Sequence, residues 1–255
     1  MVSSTQERQE KIIEYLNKNG SIRIGDMMQM FGVSDVTVRK DLICLEEQGL
    51  LVRTHGGAEH TKRTRQNYSY QKMLNSHREE KEEIGEVVAE YIKDRSSVII
   101  SPGTTNVYIA QKLASRNHLL VITNSHRIMD VFENSYHTNI IFLGGMLNTA
   151  ERSTYGEDTT EQLGKYMADV AILSVDGISA KGGITVFEAP EAGVYKKMIQ
   201  QSNKVIVAAD HTKIGNTSLS AVGALSDIDL IVTSKKADKD QIKEIQSLGV
   251  EVILI

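Results

Sequence analysis

From residue 97 onward, short β-branched and aliphatic runs alternate with segments of helical length, and few folds can absorb that rhythm. The runs fall at Ser97–Ser101, Leu119–Thr123, Asn139–Leu143, Asp169–Val175, Lys204–Ala209, Ile228–Thr233 and Val250–Leu254. The helix-length segments are 79–93, 104–115, 125–134, 157–166, 189–202 and 238–248. A strand with one wet face alternates apolar with polar residues, whereas a strand covered on both faces reads as a near-continuous apolar run. These runs are of the second kind. Together they predict a Rossmann-like α/β domain with a mostly parallel sheet and helices on both faces.

The first 78 residues follow another pattern. Residues 5–18 read as a helix with Ile12, Ile13 and Leu16 on one face and Glu7, Arg8, Glu10 and Lys11 largely outward. Gly20 ends it. A short helix, Ile24 to Phe31, has Ile24, Met27, Met28 and Phe31 as its expected buried set. Gly32 supplies a left-handed turn, and Ser34 is a good N-cap for a third helix, Asp35 to Gln48. Val38, Leu42 and Leu45 form that helix's buried stripe. Gly49 stops the helix, Leu50, Leu51 and Val52 make an apolar run, and Arg53 to Gly57 turn. Two helices joined by so short a turn must cross steeply, which is the layout of a winged helix-turn-helix reader of DNA. Its expected contacts are Ser34, Asp35, Thr37, Arg39 and Lys40 on the helix, with Arg53 and His55 in the wing. Arg39 suits a guanine edge or a phosphate, and Lys40 a phosphate. Residues 59–78 are polar and carry Lys62, Arg63 and Arg65, as a linker grazing the DNA backbone would. The expected division is a DNA-binding domain at 1–58, a linker at 59–78 and a sensor domain at 79–255.

Charge supports that division. Residues 1–65 hold ten Lys/Arg against nine Asp/Glu, and the remaining 190 hold 19 against 24. A basic face on an acidic protein fits a regulator that touches nucleic acid at one end. A single cysteine, Cys44, excludes an internal disulfide and a Cys-rich zinc site, and reads as a small core filler. The charged first twenty residues carry no signal peptide, and no apolar run approaches the ~18 residues of a membrane span. A cytoplasmic protein without cofactor or metal is expected.

In an open α/β sheet, ligands sit at the carboxyl ends of the strands. The first strand here runs into Pro102-Gly103-Thr104-Thr105-Asn106 and a helix N-terminus, a phosphate cradle. The second ends in Thr123-Asn124-Ser125, the third in Gly144-Gly145, the fourth in Asp176-Gly177-Ile178 followed by Lys181-Gly182-Gly183, and the fifth in Asp210 with Lys213 beyond it. Gly103, Thr104, Thr105, Thr123, Asn124, Gly144, Asp176 and Lys213 are the expected effector contacts. Donors and a lysine suit a phosphate, while carboxylate and amide suit hydroxyls, so a phosphorylated sugar or polyol fits best. PGTTN is not the GxGxxG turn of a dinucleotide site.

The segment VSDVTVRKDLICLEEQGLLVRTHGGA at 33–58 resembles the N-terminal signature of the DeoR family of bacterial transcriptional regulators of sugar metabolism. GTT at 103–105, TNS at 123–125, LGG at 143–145, DGI at 176–178, GIT at 183–185, EA at 191–192 and AADHTK at 208–213 are similar to that family's sensor domain. The resemblance spans nearly the whole chain. It implies an oligomeric repressor, a dimer or tetramer, released from double-stranded operator DNA by a phosphorylated sugar, and a sensor fold related to ribose-5-phosphate isomerase. Ser179 stands where that enzyme would carry a second carboxylate, which argues for binding without turnover. Ser101-Pro102 replaces an Asp that many members carry before the GTT loop. The same parts would serve an activator, or an isomerase with an appended DNA-binding domain; a nicotinamide sensor is a more distant alternative.

Overall fold

The computed structural model describes residues 5–48, 50–59 and 70–255. The chain divides into two compact units, Met1–Met73 and Leu74–Ile255, each with its own core.

In the first unit the order is α1 (Thr5–Asn19), β1 (Ser21–Arg23), α2 (Ile24–Phe31), α3 (Asp35–Glu47), β2 (Val52–Thr54) and β3 (Gly57–Glu59). Ile12 and Leu16 of α1, Ile24, Met27 and Phe31 of α2, and Val38, Leu42 and Leu45 of α3 close over Leu51 and Ala58. Gly32, at φ 67°, ends α2 and donates its N–H to the Met28 carbonyl at 2.9 Å. Ser34 then opens α3 by accepting the Thr37 N–H on its Oγ. The wing is an antiparallel sheet in the order β1-β3-β2.

Two expectations for this unit need correction, and one strand is added to it. Strand β1 was not anticipated, because three residues are too few to show alternation. Met28 is exposed, since Ile24, Met27 and Phe31 already fill the stripe of so short a helix. Arg8 is buried, because Asp41 of α3 receives it. The helix stop at Gly49 and the basic start of the linker, Lys62, Arg63 and Arg65, lie outside the described residues.

In the second unit α4 (Arg78–Glu90) is followed by β4 (Ser97–Ile100), α5 (Thr104–Leu113), β5 (Leu120–Thr123), α6 (His126–Phe132) and β6 (Asn139–Phe142). A hairpin, β7 (Met146–Asn148) and β8 (Ser153–Tyr155), leads to α7 (Glu157–Leu163) and β9 (Val170–Leu173). Next come β10 (Gly177–Ser179), β11 (Gly183–Val186), α8 (Ala192–Gln200), β12 (Val205–Ala208), β13 (Ser220–Gly223), β14 (Leu230–Thr233), α9 (Lys239–Ser247) and β15 (Glu251–Leu254).

The seven apolar runs are the seven strands of one sheet, ordered β15-β14-β12-β9-β4-β5-β6, with every neighbouring pair parallel. Successive side chains alternate between two cores. Val98, Ile100, Val121, Ile172, Ile206 and Val232 pack beneath Ile84 and Val88 of α4, Ile109 and Leu113 of α5, and Phe132 of α6. Ile99, Ile122, Leu173, Val207 and Ile231 pack beneath Leu163 of α7, Tyr195 and Met198 of α8, and Ile245 of α9. A strand flanked by two cores has no polar face, which is why these runs lack alternation. The chain moves outward from β4 to β6 on one side and from β9 to β15 on the other. The switch point, where such sheets open a crevice, therefore lies between β4 and β9. An antiparallel sheet, β10-β11-β13, follows the end of β9.

Candidate functional site

The exposed start of α3 presents the side chains expected to read DNA. Ser34 Oγ and Thr37 Oγ1 lie 3.0 Å apart, so Ser34 is first of all a cap and Thr37 its partner. Arg39 and Asp35 form an i,i+4 ion pair, with a second contact from the guanidinium to Asp35 Oδ2 at 3.3 Å. That pair holds Arg39 extended along the helix, and exposed pairs of this kind are weak enough to be exchanged for a base or phosphate. Lys40 is exposed. Val36 stands beside them, 64% exposed. An apolar side chain at that position suits a thymine methyl, and sequence reasoning passed over it because a lone exposed valine carries no pattern.

In the wing, Arg53 is drawn back onto α3: its Nε lies 2.6 Å from Glu46 Oε2 and its backbone N–H donates to Glu46 Oε1 at 2.9 Å. Those two bonds from Arg53 hold the Glu46 carboxyl below its ordinary range. Arg53 thus fastens wing to helix, while His55 is exposed in the turn.

Beneath this surface, Arg8 Nε and Nη2 donate to Asp41 Oδ2 and Oδ1 at 2.6 and 3.2 Å, and Gln9 Nε2 donates to Oδ1 at 3.2 Å. Both charged side chains are more than nine-tenths buried. The pair fixes the pose of α3 against α1. Its members are 33 residues apart, and no local signal joins them.

In the second unit the loops after β4 and β9 interlock. Gly103 has φ 136° and caps α5, and a Cβ there would stand 2.4 Å from Ser174 Cβ. Ser101 Oγ accepts the Ser174 N–H at 3.0 Å and an Asn106 amide hydrogen at 3.1 Å. Ser101 therefore knits the loop internally. Tyr195 donates from below to the Ser174 and Pro102 carbonyls, and burial pushes its phenol far up. The outcome is a turn that presents Thr104 and the free N–H groups of α5, with Thr105 buried behind them. Such a helix start attracts anions.

Two residues that were not among the expected effector contacts complete this edge. Lys81 of α4 is buried and donates to Thr104 Oγ1 at 3.0 Å. Burial depresses its proton affinity, with Lys213 adding to the fall and Asp210 and Glu80 opposing it. Lys213 lies 3.7 Å from Asp176 Oδ1, and Asp176 Oδ2 also accepts the Phe187 N–H at 2.8 Å. Lys81 was discoverable: with Ile84, Gly85 and Val88 it occupies i, i+3, i+4 and i+7, on the buried stripe of its helix.

The other is Glu191, at the start of α8. Its Oε1 accepts from Ser153 Oγ at 2.7 Å and Asn148 Nδ2 at 3.1 Å. Burial pushes its carboxyl up, with Glu188 and Asp176 adding to the rise. Glu151 is raised as well, by burial first and Glu191 second, with Arg127 opposing.

Several expected contacts are also hydrogen-bonded into the framework. Thr123 is fully buried; its hydroxyl donates to the Ile100 carbonyl at 2.7 Å and accepts the Ser125 N–H at 3.1 Å. Asn124 donates to the Thr154 carbonyl at 2.6 Å, while its buried Oδ1 has no hydrogen-bond partner among the described residues. Gly144 is bound on both sides, its N–H to Gln162 Oε1 and its carbonyl to Thr159 Oγ1. Ser179 turns into the β10–β11 hairpin, with Oγ 2.9 Å from Thr217 Oγ1 and accepting the Gly182 N–H at 3.0 Å. A separate open cavity of about 580 Å³ lies by that hairpin, lined by Lys181, Lys196 and Leu225 among others; none of the expected effector contacts lines it.

Glu191 gives a stability prediction. A carboxyl whose folded pKa is raised binds its proton more tightly in the native state. Its contribution to stability therefore improves as pH falls toward the unfolded value and worsens as pH rises through the folded one. Glu191→Gln keeps the Oε1 acceptor and removes the charge. We expect it to melt above the parent at pH 7, with the difference closing as pH falls to 5. Melts that coincide across this range would show that the carboxylate carries no penalty.

The fold and these surfaces define a class: a winged helix-turn-helix protein carrying an α/β sensor with an anion-ready strand edge. The family model for the DeoR-like helix-turn-helix domain matches residues 8–64, and that for the DeoR C-terminal sensor domain matches residues 76–235. The chain belongs to the DeoR family of transcriptional regulators. It is 35% identical to the HTH-type transcriptional repressor GlcR of Bacillus subtilis (strain 168), covering 98% of this chain and 96% of that one. It is 30% identical to the putative aga operon transcriptional repressor of Escherichia coli O157:H7, covering 100% and 95%. The glycerol-3-phosphate regulon repressor of Escherichia coli (strain K12) is 30% identical over 89% of this chain and 90% of that one. Likeness to solved structures is looser. Ribose 5-phosphate isomerase A from Methanocaldococcus jannaschii matches with TM-score 0.39 at 14% identity over 54% of each chain, a level that carries nothing about function. No helix among the described residues is long and apolar enough to cross a membrane.

Proposed function

We propose that this protein is a homo-oligomeric repressor of a sugar or polyol utilisation operon, released from its operator by a phosphorylated sugar or polyol. Support for repression comes from the relatives, which are named as repressors. Support for the effector's chemistry comes from one observation above the rest: the buried ammonium of Lys81 beside Thr104 at the start of α5, with Lys213 close by. Burial penalises that charge, and an anion at the helix start would relieve the penalty. The hydroxyl-rich part of the effector would face Asp176, Glu191 and Asn124. Binding without turnover is favoured because Ser179 spends its hydroxyl inside a hairpin.

Moving a two-state population from 1:99 to 99:1 takes about 5.5 kcal/mol of differential binding. Charge-assisted hydrogen bonds contribute about 1.5–3 kcal/mol each. Two to four contacts made in one state only would therefore suffice.

The test is operator binding by fluorescence anisotropy, using DNA from upstream of the gene, across a salt series and with a panel of sugar phosphates. For the parent we expect a steep loss of affinity with salt, and release by one member of the panel but not by its unphosphorylated form. Arg39→Ala with Lys40→Ala removes up to two phosphate contacts. The slope of log affinity against log salt should then become shallower by up to about 1.8. An unchanged slope and affinity would sink the role given to α3. Failure of every phosphorylated compound, with the free sugar active instead, would sink the role given to Lys81.

A further inference from the structure

Beside the proposed effector contacts, three metal-ligating side chains converge. His77, at the start of α4, Glu80 in its first turn and His211 in the loop after β12 each offer a ligand atom, and these atoms lie within 4.8 Å of one another. We propose that His77, Glu80 and His211 form a binding site for a divalent transition-metal ion of the zinc type.

The donor set is the first support. Two imidazoles and one carboxylate are the ligands that borderline ions such as zinc prefer, and three protein ligands leave a position for water. The spacing is the second. Bonds of 2.0–2.1 Å in a tetrahedral site put neighbouring ligand atoms about 3.3 Å apart. His211 Nδ1 already stands 2.9 Å from Glu80 Oε2 and 3.1 Å from Oε1. His77 packs edge-on against the His211 ring, with centroids 4.9 Å apart. Because His77 is exposed, its ring is free to swing the remaining ångström or so.

The backbone is the third support. His77 takes φ 53°, a left-handed conformation uncommon for a residue with a Cβ, and so caps α4. That places it three residues before Glu80, on the same side of the helix start. Glu80 itself is fixed, with its side chain only 2% exposed and Oε1 accepting the His211 N–H at 2.6 Å. Two cations face the cluster. Lys236 Nζ is 4.0 Å from Glu80 Oε2, but its side chain is 67% exposed and free to turn to solvent. Lys81 directs its ammonium to Thr104.

A metal held here would clip the first turn of α4 to the loop that carries Asp210 and Lys213. The sensor would then respond to metal supply as well as to its effector. The metal site does not depend on the effector reading, and its test uses no effector.

The full-length protein, stripped with chelator, is titrated with zinc chloride alone by calorimetry, with melting followed in parallel. We expect one saturable equivalent per chain, a raised melting temperature and proton release, since ligands shed protons to a metal. His77→Asn keeps a residue that tolerates the left-handed region, so the fold is preserved. Losing an outer-shell partner of a metal ligand typically weakens binding 10–100-fold, and losing a ligand should do at least as much. His118→Asn alters the other close histidine pair, His118 and His137, and should change nothing. Cobalt should give a visible absorption band in the parent and in His118→Asn but not in His77→Asn. The proposal is overturned if no saturable equivalent is seen, if it survives His77→Asn, or if His118→Asn removes it.

Discussion

Asp41→Ala should unfold the DNA-binding unit and abolish operator binding while leaving the second unit's unfolding transition in place. Asp41 receives two hydrogen bonds from Arg8 and one from Gln9 in a site closed to solvent. Removing the carboxylate strands a buried guanidinium whose remaining hydrogen bond among the described residues is to Thr5 Oγ1 at 3.5 Å. Breaking a buried pair from one side costs about 3–5 kcal/mol. Natural domains hold roughly 5–15 kcal/mol in all, and one of about 60 residues sits toward the low end. The loss therefore takes most of what holds α1 to α3. Urea unfolding followed by circular dichroism should show the first transition at much lower denaturant and the second unmoved. Arg8→Met with Asp41→Leu is the informative control. An apolar pair of similar volume often matches or exceeds an ion pair in stability, so the double variant should refold the unit and recover operator binding. A single variant as stable as the parent would mean that the pair is not what fixes α3.

That pair also marks where sequence reading stops. The seven-stranded sheet was legible because its inner strands lie between two cores, and a strand with no wet face must write an unbroken apolar run; the edge strands β6 and β15 are only partly covered. The winged helix was legible because local devices build it: the Ser34 cap, the Gly32 turn and the Val38, Leu42, Leu45 stripe. What escaped has a common cause. Strands β7, β8, β10 and β11 are three or four residues long and are stabilised by hairpin partners instead of a periodic face. Arg8 and Asp41, Lys81 and Thr104, and Glu191 and Ser153 meet across 23 to 38 residues. For a charged residue, a place on a helix's buried stripe is the only local hint that it is inside. Arg8 is separated from Ile12 by one turn, and Glu80 and Lys81 from Ile84 by four and three residues. Charge on such a stripe can be read as a prediction of a buried partner. The strand-end loops were located correctly in the chain, but Thr123 and Gly144 turned out to hold the frame. A hydroxyl or amide at a strand end satisfies a neighbouring backbone group as readily as a ligand, and only geometry separates the two.

Gly103→Ala should leave a protein that grips its operator and no longer hears its effector. At φ 136° and ψ 147° the backbone of Gly103 lies where residues with a Cβ rarely go, and holding one there costs roughly 1–3 kcal/mol. The new methyl would also stand 2.4 Å from Ser174 Cβ and 2.5 Å from its Oγ, so one of the two loops must move. Moving the β4 loop shifts the start of α5, and with it the N–H groups and the Thr104 hydroxyl that Lys81 touches. In a unit of this size, each kcal/mol lowers the melting temperature by about 2–4 °C. A drop of several degrees is therefore expected, well short of unfolding, because both cores are untouched. The proposed phosphate cradle depends on those groups pointing at one spot, so the thermal shift produced by the sugar phosphate active on the parent should vanish. Operator affinity without effector should stay within about threefold of the parent's, since α3 and the wing belong to the other unit. Adding Ser174→Gly removes the clash and keeps the backbone strain. That double variant should regain part of the melting temperature and part of the effector response. If Gly103→Ala responds to the effector as the parent does, the start of α5 is not where the phosphate sits. If the double variant is no better than the single, the interlock between the β4 and β9 loops is not what sets the cradle.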